Sequence, residues 1–200
     1  MAVRRERALP AQLDSYVLHR YDWSETSLIL EVLTRQRGRL AVVAKGAKRP
    51  TSQLRSVLMP FQPIAITLAK SSADEHGDIA LLRQAEWVGG GAFLPPAALF
   101  QGFYLNELLM KLLPRGDAHP GLFDTYAATL PMLAHGDELL AQAGLRAFEL
   151  RALRESGVLP ELSLTTLGQQ AIKPTLRYAL KPESGLVLVH DGAAALPGSD

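Results

Sequence analysis

The chain has no cysteine among its 200 residues. That excludes disulfides, a thiol nucleophile and any cysteine-ligated zinc site. No apolar run approaches the length that spans a bilayer. The N-terminus, MAVRRERALPAQLDSYV, carries charge but lacks the apolar core of a secretory signal. A cytoplasmic protein with no membrane association is expected. The five histidines, His19, His76, His119, His135 and His190, lie far apart, and no pair has a helical ligand spacing. A GxSxG nucleophile elbow is missing. Residues 46–52, GAKRPTS, lack the order of a phosphate loop, and Pro50 would interrupt a nest of amide donors. Glu25 and Glu31 share a strand face but stand too far apart for an acid–base pair. No catalytic residue, metal or cofactor is expected, so the chain reads as a binding protein rather than an enzyme.

Acidic residues are also missing from one long stretch. Residues 35–61, RQRGRLAVVAKGAKRPTSQLRSVLMPF, hold Arg35, Arg37, Arg39, Lys45, Lys48, Arg49 and Arg55 and no Asp or Glu. An apolar run over residues 40–44 sits inside it, between Gly38 and Gly46, and reads as a strand buried on both faces. The positive charges therefore fall at the two ends of a short strand and in the loop after it. A polyanion crossing that edge would meet most of them. The plainer reading is a solvated loop with incidental charge. The net charge of +1 conceals a wider imbalance. Residues 1–60 hold eleven Lys/Arg against five Asp/Glu, and residues 61–200 hold ten against fifteen. One part is suited to meet a polyanion and the other is not.

The chain length allows one large or two small domains. Residues 1–11 read as a basic arm. Strands are expected over residues 15–20, 26–34, 39–44, 63–70 and 79–87, with turns at 22–25 and 71–78. A short helix, 53–59, capped by Thr51 or Ser52 and ended by Pro60, falls between the third and fourth strands. Five strands with a helix at that place is the element order of an OB-fold, whereas an SH3-like barrel has no helix there. Gly89-Gly90-Gly91 and Pro95-Pro96 mark a boundary. Three helices follow. The first carries Leu99, Phe100, Phe103, Tyr104, Leu108, Leu109, Leu112 and Leu113 as its apolar stripe. The second carries Leu122, Phe123, Tyr126 and Leu130. The third, residues 137–156, carries Leu139, Leu140, Ala143, Ala147, Phe148, Leu150 and Leu153. A hairpin of residues 177–180 and 186–189 and an Ala/Gly/Pro-rich tail complete the chain. The expected class is α+β: an N-terminal five-stranded OB-fold β-barrel (residues 1–88), a helical C-terminal domain with a small hairpin (92–190) and a flexible tail (191–200).

An OB-fold that binds single strands offers aromatic platforms beside a basic groove. Tyr16, Tyr21, Trp23 and Phe61 are the candidates, with Tyr21 and Trp23 in a polar turn and Phe61 better suited to the core. Arg20, next to Tyr21, joins the basic set. In the helical part the aromatic residues are first of all core, but an apolar groove between helices could take a partner peptide. Arg146 and Arg151 lie near Phe148, and an Arg beside such a groove is a good receptor for a carboxylate.

These residues carry a resemblance. YVLHRYDWSETSLILEVLTRQRGRLAVVAKGAKRP, SQLRSVLMPFQP, GFYLNELLMKLLP, HPGLFDTYAATL and LRAFELRALRESGVLP follow one another in the order of the RecO family of bacterial recombination mediators, which the chain resembles over residues 14–160. The resemblance implies an OB-fold, a helical domain and binding to single- and double-stranded DNA at the nucleoid. It also implies two protein partners, RecR and the acidic C-terminal tail of single-stranded DNA-binding protein. It implicates Arg146, in LRAFEL, in holding that tail; on the reading of the residues themselves, Arg151 and the helix residues Leu109 and Leu150 are expected beside it. The chain departs from the family in two places. Residues 161–173, ELSLTTLGQQAIK, lack the cysteine zinc motif of some members. Family members continue past this C-terminus with more helices, so a fragment or a short second domain is expected. An RNA-binding OB module, or an adaptor whose basic edge meets an acidic protein, are the other readings of the residues.

Overall fold

The computed structural model describes residues 11–69, 79–181, 183–189 and 196–197. The basic arm, apart from Ala11, and the turn at 71–78 lie outside the described residues. The chain divides into two compact units, Met1–Phe148 and Glu149–Asp200.

In the first unit, β1 (Gln12–Asp22), β2 (Leu28–Thr34) and β3 (Gly38–Ala44) are followed by a short helix, α1 (Leu54–Val57), then β4 (Ile64–Leu68) and β5 (Ile79–Trp87). They close a barrel in the order β1-β2-β3-β5-β4. β1 pairs antiparallel with both β2 and β4, and β3 pairs parallel with β5. That is the OB-fold, as the element order implied. The helix is shorter than expected. Gln53 stands at its N-cap with no side-chain hydrogen bond, so neither Thr51 nor Ser52 caps it.

Alternating residues fill the barrel: Leu13 and Val17, Leu30 and Val32, Val42 and Ala44, Ile64, Ile66 and Leu68. Each large side chain so buried contributes roughly 1.5–3 kcal/mol. β1 and β2 also bury their outward faces through Tyr16, Leu18 and Leu33. Two helices cover this face, α2 (Pro96–Leu112) and α3 (Pro120–Ala134), and α4 (Glu138–Glu155) sets Phe148 against Tyr126 of α3, ring centroids 6.2 Å apart. Tyr16 packs on Phe123 and Tyr126 with ring centroids 5.4 and 5.0 Å away. It is a core residue and not a stacking platform.

The helices turn a different face inward from the one their largest apolar residues suggest. α2 buries Ala98, Gly102, Leu105, Asn106 and Leu109. Phe100, Phe103 and Tyr104, expected in the core, are exposed instead. The cause is closeness. A Cβ at Gly102 would stand 2.5 Å from Leu94 Cδ1 and 2.9 Å from the Phe61 ring, so only glycine lets the helix approach this far. α4 behaves alike. Ala141, Leu145 and Phe148 face in, while Leu139, Leu140, Ala143 and Ala147 face out.

A polar chain fastens α2 to the barrel. β1 carries a bulge between Val17 and His19, which leaves Leu18 without a register partner in β2. Its carbonyl accepts a hydrogen bond from Asn106 Nδ2 at 2.9 Å. Asn106 Oδ1 in turn accepts from the Tyr126 hydroxyl at 2.6 Å. Burial, with a smaller contribution from Tyr16, pushes the Tyr126 phenol well up, so it remains a donor.

In the second unit, β6 (Arg177–Lys181) pairs antiparallel with β7 (Gly185–Leu188) and with β8 (Leu196–Pro197). The hairpin is present, and Leu196–Pro197 of the tail belong to its sheet. Among the described residues no helix is long and apolar enough to cross a membrane.

Candidate nucleic-acid interface

The basic stretch is divided by the strand it flanks. β3 is on the order of 20 Å long at the usual rise, and its two ends have different surroundings. At the Gly38 end the cations turn toward acids and helix termini. Arg39 pairs with Glu31 at 2.8 Å and donates to the Leu113 carbonyl at 3.0 Å. Arg115 pairs with the same carboxylate. Glu31 is 2% exposed, so this is a buried anchor between the barrel and the end of α2. Its signal in the sequence is one acid inside an apolar strand, LILEVL, which demands a cation. Arg35 makes a bidentate pair with Asp124 on α3, both bonds at 2.9 Å. That hydrogen-bonded guanidinium holds the Asp124 carboxyl below its usual range. Gly38 adopts φ +68, and a Cβ there would stand 1.7 Å from the Asp117 carbonyl oxygen. This end of the barrel is a joint. Only Arg37, in the turn, is exposed there without a carboxylate partner among the described residues.

The opposite end is open. Asp22, Leu28 and Ala44 are neighbours across β1, β2 and β3. This places the end of β1, the β1–β2 loop and the segment after β3 together. Lys48 N donates to the Thr26 carbonyl at 2.9 Å and Lys48 Nζ to the Ser24 carbonyl at 3.2 Å, tying the two loops. Gly46, at φ +71, makes the sharp exit from the strand. Arg20, Tyr21, Asp22, Lys48 and Arg55 line a cavity of about 680 Å³ whose floor includes Leu54 and Leu58. Lys45 and Arg49 are exposed beside it in sequence. Lys48 pairs with Asp22 at 3.1 Å. Arg20, Lys45, Arg49 and Arg55 have no carboxylate partner among the described residues. Tyr21 is 43% exposed and Trp23 65%, so both present ring surface. Phe61 is buried. Thus the fold gathers Arg20, Tyr21, Trp23, Lys45, Lys48, Arg49 and Arg55, and sets Arg35, Arg37 and Arg39 apart from them.

The other sequence candidates are scattered. Arg146 is exposed on α4. Leu109, expected to wall a partner groove, is 1% exposed and belongs to the core of the first unit. In the second unit Arg151 pairs with Glu155 at 2.6 Å, and Leu150 is half exposed. Among the described residues no cluster of three or more His, Asp or Glu stands together.

The closed five-stranded barrel and the helices after it define the class: an OB-fold followed by a helical domain. A family model described as "Recombination protein O N terminal" matches residues 10–90, and one described as "Recombination protein O C terminal" matches residues 96–185. The chain belongs to the RecO family of DNA repair proteins. It is 51% identical over 191 residues to the DNA repair protein RecO of Variovorax paradoxus, covering 93% of this chain and 72% of the relative. Against the protein of that name from Polaromonas sp. (strain JS666) it is 49% identical over 199 residues, 99% of this chain and 76% of the relative. Against that of Albidiferax ferrireducens it is 46% identical over 200 residues, 100% of this chain and 76% of the relative.

Proposed function

We propose that the chain is a recombination mediator that works by binding and not by catalysis. It takes single- and double-stranded DNA at the open mouth of the barrel and favours the annealing of complementary strands. It also helps a recombinase load onto strands coated by single-stranded DNA-binding protein. RecR and the acidic tail of that coating protein are its protein partners, with Arg146 as the cation for the tail's carboxylates. Its place is the cytoplasm, at the nucleoid. The observation that carries the reading is the gathering of Arg20, Lys45, Lys48, Arg49 and Arg55 at one barrel end, where the described acids are two, Asp22, paired with Lys48, and Glu25 in the β1–β2 loop. Two strands repel through their phosphates. A cationic surface that screens one strand lowers the cost of approach of the second.

A salt titration with DNA and RNA oligonucleotides tests this. Five phosphate contacts on a single strand give a slope of log K against log salt of about −3.5. Between about 50 and 200 mM salt, affinity then falls roughly a hundredfold. Changing Lys45, Lys48 and Arg49 together to Ala should weaken every sequence about equally, because phosphate contacts carry no base information. A slope near zero, or binding by the triple variant within about twofold of the parent, would refute the reading. Tighter binding to RNA than to DNA would move the function to RNA.

A further inference from the structure

The rotation of α2 that buries Gly102 leaves an aromatic face uncovered. Trp87 at the end of β5, Phe93 in the segment before α2 and Phe103 on α2 are 56%, 78% and 49% exposed. With Phe61, Met59 and Arg20 they line a second cavity, about 560 Å³, whose surface is mostly apolar. Solvated single aromatics need no account, but several converging on one concave site mark a binding surface. The floor is held under strain. Phe61 adopts φ +66, a region that bulky side chains avoid, and its ring sits 5.1 Å from that of Phe103 in an edge-on contact. Gln62 lines the same cavity and is held there by its Nε2, which donates to the Ala92 carbonyl at 3.1 Å.

Arg20 belongs to both cavities. Its guanidinium donates to the Leu58 carbonyl at 3.4 Å and contacts Met59 Sδ at 3.7 Å, which fixes it between the basic mouth and the aromatic groove. An occupant must therefore be anionic on one side of Arg20 and flat and apolar-faced on the other. A nucleotide of a single strand meets each requirement. We propose that the Trp87–Phe93–Phe103 groove is a base-binding subsite. The strand's phosphates run over Arg20, Lys48 and Arg55, and one unstacked base inserts among the aromatic rings. A base inside a duplex cannot enter, so the subsite gives the barrel a preference for single strands that its phosphate contacts alone cannot supply. This rests on the reading of the basic mouth as the DNA surface.

The test compares three probes, an oligothymidylate, an abasic oligonucleotide of the same length and a blunt duplex, on the full chain and on Phe93→Ala and Trp87→Ala. Both side chains are exposed, so folding should survive, and circular dichroism checks it. The parent should bind the oligothymidylate about tenfold more tightly than the abasic strand. Each variant should lose most of that difference while keeping the parent's affinity for the duplex, its affinity for the abasic strand and its salt slope. In a Trp23→Phe background, the oligothymidylate should quench the fluorescence of Trp87 and the duplex should not. Unchanged oligothymidylate affinity in both variants, with no quenching, would overturn the subsite while a normal salt slope left the basic mouth standing. A flat slope for the parent would instead remove the reading beneath it. A variant that changes the association state in sedimentation and leaves DNA affinity alone would assign the groove to a second copy of the chain and overturn the proposal.

Discussion

Replacing Asn106 by Ala tests the polar chain that seats α2 on the barrel. Asn106 is 2% exposed, Tyr126 0% and Leu18 1%, so no water reaches the groups that the change would strand. The substitution removes the donor to the Leu18 carbonyl, which the bulge has already taken out of the strand ladder. It also removes the acceptor of the Tyr126 hydroxyl. Each buried orphan costs about 1–3 kcal/mol, so the loss should be about 2–5 kcal/mol. For a chain of this size that lowers Tm by roughly 5–15 °C. Tyr126→Phe strands only Asn106 Oδ1 and should cost about half as much. The double variant, Asn106→Ala with Tyr126→Phe, leaves a single orphan, the Leu18 carbonyl. Its cost should therefore fall short of the sum of the two by about 1 kcal/mol or more. Urea unfolding of the four proteins gives the cycle, and oligonucleotide binding below the transition should be unchanged. A cost under about 0.5 kcal/mol for Asn106→Ala, or strict additivity, would mean that the chain of hydrogen bonds does not hold the helix.

Glu31→Gln should cost about 3 kcal/mol, because Arg39, largely out of solvent, then faces a neutral group in place of its buried carboxylate, and an unchanged urea midpoint would refute the anchor. Asp124 is held below the usual carboxylate range by Arg35, so the pair stabilises the fold above about pH 4, the ordinary carboxylate range, and stops doing so as pH falls through the lowered value. Asp124→Asn should accordingly be slightly less stable than the parent at neutral pH and low salt, and equal to it in strong acid. A gap that persists in acid would assign the effect to packing. Arg146→Ala should reduce affinity for a peptide with the acidic tail of single-stranded DNA-binding protein at least tenfold, about the loss of one charge-assisted hydrogen bond, and leave DNA binding alone. Equal peptide affinities in a fluorescence titration would remove Arg146 from that site.

The barrel was legible because its evidence is local. Period-two alternation, glycines at strand ends and a short helix between the third and fourth strands each act within a few residues. The basic stretch was legible for the same reason, since an absence of acids is a property of sequence alone. What sequence could not decide was which cations face a phosphate and which face a carboxylate. Arg39 and Lys45 look alike along the chain, yet Glu31 takes one and no carboxylate among the described residues takes the other. Only closure of the barrel sets β3 so that one end meets α2 and α3 and the other remains open. The inward faces of α2 and α4 were beyond sequence for a related reason. Hydrophobic size pointed to Phe100, Phe103 and Leu139. Packing instead chose Gly102, Ala141 and Gly144, because the distance between elements, which no local pattern records, rewards the smallest side chain at the point of closest approach. Local pattern along the chain set the kind of barrel and the sign of its charge; packing between distant elements set where that charge is exposed and which aromatic rings stand beside it.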